Sequence, residues 1–313
     1  MSSVVAAAPG GGPATPLRAR RRNVVPYLLL LPGIAWLFVF FVLPTLSLAS
    51  QSLQTGDIDS GYALTWHWQT YQVAISTYSG QLLRSVIYAG VATALTLLFG
   101  YPLAWFLAHR AGRLKNLLLV LVIAPFFTSF LIRTLAWQTI LGEQGILVNA
   151  ASFLHLTWLL NAFESVLGWL GLISNHQLLS SPFAVICGLT YNFLPFMVLP
   201  LYANLERLDL RLTEAASDLY ATPVQAFRKV IWPLTLPGVV AGTLLTFIPA
   251  TGDYINSVLL GSTRTTMIGQ VIDAQFLRVL NYPLAAALSF VLMVLIIVMV
   301  SVYVRRAGTE ELL

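Results

Sequence analysis

The sequence predicts an all-α integral membrane protein: six transmembrane helices, a helical hairpin between the fourth and fifth, and both termini in the cytoplasm. Three observations carry this expectation. Of 313 residues, 58% are apolar and 9% charged, too greasy for a soluble domain of this size. Several apolar runs reach the roughly 20 residues that cross a bilayer as helix. Finally, Lys and Arg cluster after alternate runs, which sets orientation. The net charge of +5 therefore reports topology and gives no ground for a nucleic-acid partner. The single cysteine, Cys187, excludes an internal disulfide, and no Cys/His spacing suits a metal.

Residues 1–25 are rich in Ala, Pro and Gly and end in Arg18, Arg20, Arg21 and Arg22, the composition of a disordered basic tail. The membrane domain is expected over 26–306, with a short tail at 307–313. The first run, Tyr27–Leu48, is too long for a signal peptide. Val86–Leu107, Leu117–Leu141, Phe183–Leu205, Leu234–Asn256 and Leu284–Val304 complete the six. Four contain no Asp, Glu, Lys or Arg; the third holds Arg133 and the fifth Asp253.

Ala151–Ile173 is also apolar, but carries His155, Asn161 and Glu164. As a span it would push Arg207, Arg211, Arg228 and Lys229 outside, against the positive-inside rule. It is expected as an outer-face helix on the membrane surface. Proline punctuates most spans, which membrane helices tolerate where neighbours satisfy the freed carbonyls. The sequence shows no internal repeat, which disfavours an ion-coupled secondary transporter of the inverted-repeat kind. That class and a cargo-free membrane scaffold are the alternatives.

The segment 211–233 is the longest patterned stretch that is not membrane-like. Leu212, Ala215, Ala216 and Leu219 share one face, with Arg211, Glu214 and Asp218 on another. Thr213 is the expected N-cap. A second helix restarts at Thr222, with Pro223 at its first position and Gln225 completing a capping box. Val224, Phe227 and Ile231 form its apolar stripe. The pattern fits a loop packed on its own bundle or a handle for another protein.

Glu214-Ala215-Ala216 followed by this hairpin resembles the EAA motif of permease subunits of binding-protein-dependent ABC importers. Tyr220 stands where that family places Gly, a position that permits positive φ. Pro125–Thr134, Leu194–Tyr202 and Met267–Phe276 are similar to the spermidine/putrescine-type permeases, B-type subunit. The resemblance covers about residues 27 to 306, with an apparent insertion at Gly145–Gly168. It implies a subunit of the bacterial inner membrane that forms half of a solute path by alternating access. It implies a second homologous permease, two ATP-binding subunits that hold ATP and Mg, an extracytoplasmic solute-binding protein and a small cationic solute. The same shape serves opine, phosphonate and sugar importers. By the resemblance, Glu214, Ala215, Ala216, Asp218, Tyr220, Thr222 and Pro223 couple to an ATPase subunit. The chain itself has no G-x-x-x-x-G-K-[ST] phosphate loop and no catalytic set, so it is expected to be a transport subunit without cofactors.

Asp253 is the sharpest intramembrane residue, because an acid in a span usually faces a cavity or partner. With Tyr254 and Asn256 it suits an ammonium group, and Tyr191 and Trp137 offer cation–π contacts. A gate or an inter-subunit contact fits it equally. Arg133, about 27 Å along a straight helix from Lys115, is expected to snorkel at the outer interface or to meet Glu143.

Overall fold

A computed structural model describes residues 25–142, 145–153, 158, 164–168, 171–173 and 177–306. Apart from Val25, both expected tails lie outside these residues, as do Glu143, His155, Asn161 and Trp169. The chain divides into two compact units, Met1–Ser47 and Leu48–Leu313.

Helix α1 (Val25–Leu37), in the first unit, runs through a π turn at Phe38–Val42 into α2 (Leu43–Ser52), whose residues from Leu48 on are counted in the second. The wide turn has a physical reason. Pro44 has no N–H and its ring crowds the carbonyl four residues back, so Leu43 instead donates to the Phe38 carbonyl, an i→i+5 bond. The same device recurs before Pro233, where Trp232 donates to the Phe227 carbonyl.

The second unit continues in an antiparallel hairpin, β1 (Gln54–Asp57) and β2 (Gly61–Leu64), which an all-α expectation missed. Asp57 closes it, its Oδ1 accepting from the Ser60 hydroxyl and the Asp59 and Ser60 amides. Helix α3 (Gln69–His109) has 41 residues, about 60 Å at 1.5 Å per residue, so it extends far beyond the expected Val86–Leu107. The third expected span is not one straight helix. After a 3-10 turn at Gly112–Leu114, α4 (Lys115–Ile123) ends in a second one at Ala124–Phe127, Thr128 is extended, and α5 (Phe130–Leu141) leaves at 96°. The straight-helix position of Arg133 is therefore withdrawn. Instead its guanidinium lies over the Phe130 ring, with Nε and Nη1 buried. Helix α6 (Ile146–Phe153) begins before the expected outer-face segment, of which Trp158 and 164–168 are also helical.

Helix α7 (Pro182–Leu205) starts at Ser181, whose hydroxyl accepts the Ala184 amide. After α8 (Arg211–Asp218), the second arm of the hairpin is not a separate helix. From α9 (Pro223–Ala226) the chain passes through the π turn Phe227–Ile231 into α10 (Trp232–Thr251), one continuous helical run of 29 residues. Short α11 (Ile255–Leu260), α12 (Ile268–Leu277) and long α13 (Tyr282–Arg306) follow. Among the described residues, five helices are long and apolar enough to cross a membrane, or six with the bent pair as one span.

Helix α7 packs between α3 and α10, and α13 packs on α3 and α12. Small residues allow the close approach, as membrane packing requires. Gly238 and Gly242 bring α10 onto α7, where any Cβ on Gly242 would stand 2.7 Å from Met197 Sδ and 3.1 Å from its carbonyl oxygen. Ala89, Ala92, Thr96, Gly100 and Ala104 form the matching buried stripe on α3.

Candidate functional site

Two places gather the residues singled out by the sequence, one beyond the C-terminal end of α7 and one near its middle. The first is the hairpin. It begins beyond Glu206, which pairs with Lys115 at the start of α4, while the Lys115 ammonium also sits over the Tyr202 ring. The Lys115 hydrogen bond holds the Glu206 carboxyl below its ordinary range. Helix α8 starts at Arg211, three residues earlier than a cap at Thr213 would place it. The Asp209 carboxylate accepts the Arg211 amide at 3.0 Å, and the Thr213 hydroxyl donates to the Leu210 carbonyl. Asp209, not Thr213, is the local start signal.

The helix ends in a Schellman motif. Tyr220 N–H donates to the Ser217 carbonyl at 2.9 Å and Ala221 N–H to the Ala216 carbonyl at 3.0 Å. This closure requires a left-handed residue, and Tyr220 supplies it at φ 60°, at about 1 kcal/mol of strain. The turn thus keeps the geometry that the glycine would give. Thr222 and Gln225 then form the expected capping box in both directions, at 3.3 and 3.0 Å.

None of the α8 residues is buried, and Leu212 and Leu219 of its apolar face are exposed. Leu219 is 82% exposed, Tyr220 95% and Val224 74%, and Glu214 and Asp218 are exposed beside them. The stripe Val224–Phe227–Ile231 runs from solvent inward, with Ile231 buried. Below it, Tyr101 stacks edge-on with Phe227, tilts against Trp232, and bonds Thr235 at 3.0 Å. The hairpin is an exposed knuckle on a packed stem.

The second place lies near the middle of α7, at Tyr191 and Asn192. Asp253 is 8% exposed and falls in the break between α10 and α11, outside a span helix. Its Oδ1 accepts the Asn256 amide at 2.8 Å, which satisfies the start of α11. Asn256 Oδ1 accepts from Asn192, which also donates to Thr134, each at 3.2 Å. A buried polar chain therefore ties α11, α7 and α5 together. Asn192 and Thr134 escaped a reading centred on charged residues; their signal was an uncharged polar side chain within an apolar run. Trp137 and Tyr191 meet edge-to-face at 5.6 Å, and Tyr254 is exposed. Next to this chain, Ser257 accepts the Met267 amide, Ser85 the Ile268 amide, and Arg84 donates to the Thr266 carbonyl. These bonds fix the start of α12.

Apolar membrane-length helices around an exposed capped knuckle define a transport permease, and comparison with known proteins gives the same class. Residues 100–307 match the family described as binding-protein-dependent transport system inner membrane component, and the chain belongs to that family. It is similar to the spermidine/putrescine transport system permease protein PotB of Escherichia coli (strain K12), 39% identical over 276 residues that cover 88% of this chain and 94% of that protein. Against PotB of Haemophilus influenzae it is 37% identical, covering 87% and 90%. The fold resembles a crystal structure of a bacterial ABC transporter involved in the import of the acidic polysaccharide alginate, with TM-score 0.62 at 19% identity, covering 92% of this chain and 96% of that one. The chain is thus an ABC importer permease of the PotB type, a transport component. The ion-coupled and scaffold alternatives end here.

Proposed function

We propose that this chain forms half of the translocation path of an ATP-driven importer for small polyamine-like cations, with spermidine and putrescine as type solutes. The polyamine relatives, alike over most of both chains, support the cargo class. The hairpin end faces the cytoplasm with both termini, in keeping with Arg110, Arg113, Arg207, Arg211, Arg228 and Lys229 at that end. The partners are a second homologous permease, two ATP-binding subunits and an extracytoplasmic solute-binding protein.

The observation that carries the coupling role is the exposed knuckle. Helix α8 and the turn after it offer Glu214, Asp218, Leu219 and Tyr220 outward, and no residue of α8 is buried. Its C-terminal end is closed by the Schellman turn, and the Thr222–Gln225 box starts the next helix directly after it. Because α9 continues into α10, a push on the knuckle travels along one helical run toward Asp253. There the Asp253–Asn256–Asn192–Thr134 chain keeps α11 in register with α7 and α5, while Tyr254, Trp137 and Tyr191 are the contacts for a cation in the path, each worth about 0.5–2 kcal/mol.

Glu214→Arg tests the coupling. It is expected to abolish co-purification of the ATPase subunits or to uncouple ATP hydrolysis from uptake in the reconstituted complex. Retention of both would refute the role.

A further inference from the structure

We propose that the cleft between α10 and α13 is a phospholipid site: it holds an acyl chain of one anionic lipid, whose phosphate lies on Arg305 and Arg306. The inference does not depend on the cargo. The cleft arises from the packing of the spans. Helix α10 packs chiefly on α7, and α13 on α3 and α12, so the two touch each other little. Two cavities adjoin at Val300 in the gap. One, of about 500 Å³, is lined by Ile248 of α10, Ile272 of α12, and Leu292 and Ile296 of α13, among others. The other, of about 150 Å³, lies between Leu244 and Phe247 of α10 and Tyr303 of α13.

Three features identify the occupant. The lining is uncharged. Among the described residues no Asp, Glu, Lys or Arg faces either cavity, and Ser289 returns its hydroxyl to the Ala285 carbonyl of its own helix. Such a wall suits a long apolar body and leaves a polar solute without partners. Second, the length and width fit. From Ser289 to Tyr303 the lining follows α13 for about 21 Å at 1.5 Å per residue. That is half of the roughly 40–45 Å bilayer with its headgroups, the depth of a single leaflet. A transmembrane helix, about 10 Å across, would fill on the order of 1,600 Å³ over that length, more than twice what the two cavities hold. An acyl chain is the slimmer body. Third, the charge is complementary. Helix α13 ends in Arg305 and Arg306, both exposed, just beyond Tyr303 at the mouth of the cleft. Arg pairs bidentately with phosphate, and basic side chains at a membrane surface attract anionic lipids. In the orientation proposed above, this mouth opens to the cytoplasmic leaflet, whose surface is anionic.

The test is photolabelling of the assembled permease–ATPase complex in phosphatidylcholine nanodiscs. The probe is phosphatidylglycerol with a diazirine midway along one acyl chain, and the labelled residues are mapped by peptide mass spectrometry. Label should saturate on α10 and α13 around Ile248 and Ile296, and unlabelled phosphatidylglycerol should displace it. Arg305→Gln combined with Arg306→Gln should weaken binding roughly thirtyfold, at about fivefold for each basic side chain near an anionic surface. Val300→Phe, which fills the cleft and keeps both arginines, should abolish labelling there. Retention of the ATPase subunits checks that each variant is folded. Ser301→Leu, a smaller filling at an exposed edge of the same cavity, serves where Val300→Phe fails to assemble. Equal labelling by a phosphatidylcholine probe, or labelling indifferent to the arginines, would mean bulk lipid on an apolar face and overturns the site. Absence of label from the cleft does the same. A benzophenone side chain at Ile297 that crosslinks to a protein helix, from the second permease or from this chain, would assign the cleft to protein and overturn the lipid site as well.

Discussion

Helices α7 and α8 are neighbours in the chain and opposites in packing. Half of the α7 residues are buried, on faces met by α3, α5, α10 and α11; no α8 residue is. The contrast separates two kinds of apolar surface. That of α7 is satisfied within this chain and holds the bundle. That of the knuckle, Leu219, Tyr220 and Val224, is left in solvent by the chain alone, and an exposed apolar surface on a rigid frame marks an interaction site. Stability should therefore reside in the first region and association in the second, and substitutions can dissociate the two.

The largest effect is expected on the packed side. Gly242→Val places a branched side chain where a single Cβ would already stand 3.1 Å from the Met197 carbonyl oxygen and 3.3 Å from its Cα. Backbone cannot swing aside as a side chain tip can, so α10 must lift from α7. Overpacking of this kind costs about 1–3 kcal/mol. Thermal unfolding of the purified complex should shift downward, while the ATPase subunits retained per folded permease stay unchanged. Loss of the ATPases at unchanged unfolding temperature would erase the distinction between the two regions.

Tyr220→Gly works in the opposite direction. It relieves the positive φ of the Schellman turn, a local gain of at most about 1 kcal/mol, and it removes a ring that is 95% exposed. The unfolding temperature should hold or rise slightly. Affinity for the ATPase subunits should fall about tenfold, in line with the roughly 1.5–3 kcal/mol for burying a large side chain. A variant that binds its partners as well as wild type would leave the tyrosine without a role in docking.

The two regions were unequally legible in the sequence. The capping box at Thr222–Gln225 and the left-handed turn at Tyr220 could be anticipated, because each depends on a few adjacent residues and backbone sterics. A cap at Thr213 is expected because a hydroxyl is a common cap; instead the Thr213 hydroxyl donates back to the Leu210 carbonyl, and Asp209, two residues before the helix, accepts the Arg211 amide. Periodicity located the apolar runs but not the 96° bend after Phe127, since a run of apolar residues is blind to the two non-helical residues Thr128 and Ser129. The short β-hairpin was missed because four-residue strands lie below what alternation can signal, although Gly56-Asp57 and Ser60-Gly61 are turn-forming pairs. Near the middle of α7 the prediction named Asp253 and Asn256 as neighbours, and they are bonded. Their continuation through Asn192 to Thr134 depends on three helices meeting, which no local pattern encodes.

The smallest effect belongs to the joint between the regions, the Lys115–Glu206 pair at the base of the hairpin. The Lys115 hydrogen bond lowers the Glu206 carboxyl below its ordinary value. A carboxylate whose folded-state pKa is depressed adds stability above its unfolded pKa, near 4.3 for Glu, and loses it as pH falls through the lower folded value. Wild type and Glu206→Gln should therefore differ in unfolding temperature at neutral pH and converge below about pH 4. The gap should be small because the pair is open to solvent, and added salt should shrink it further. A gap that persists in acid or at high salt would mean that Glu206 acts through packing against Tyr202 instead of through its charge. The joint would then belong with the satisfied surface of α7, and the boundary between bundle and knuckle would move to Asp209.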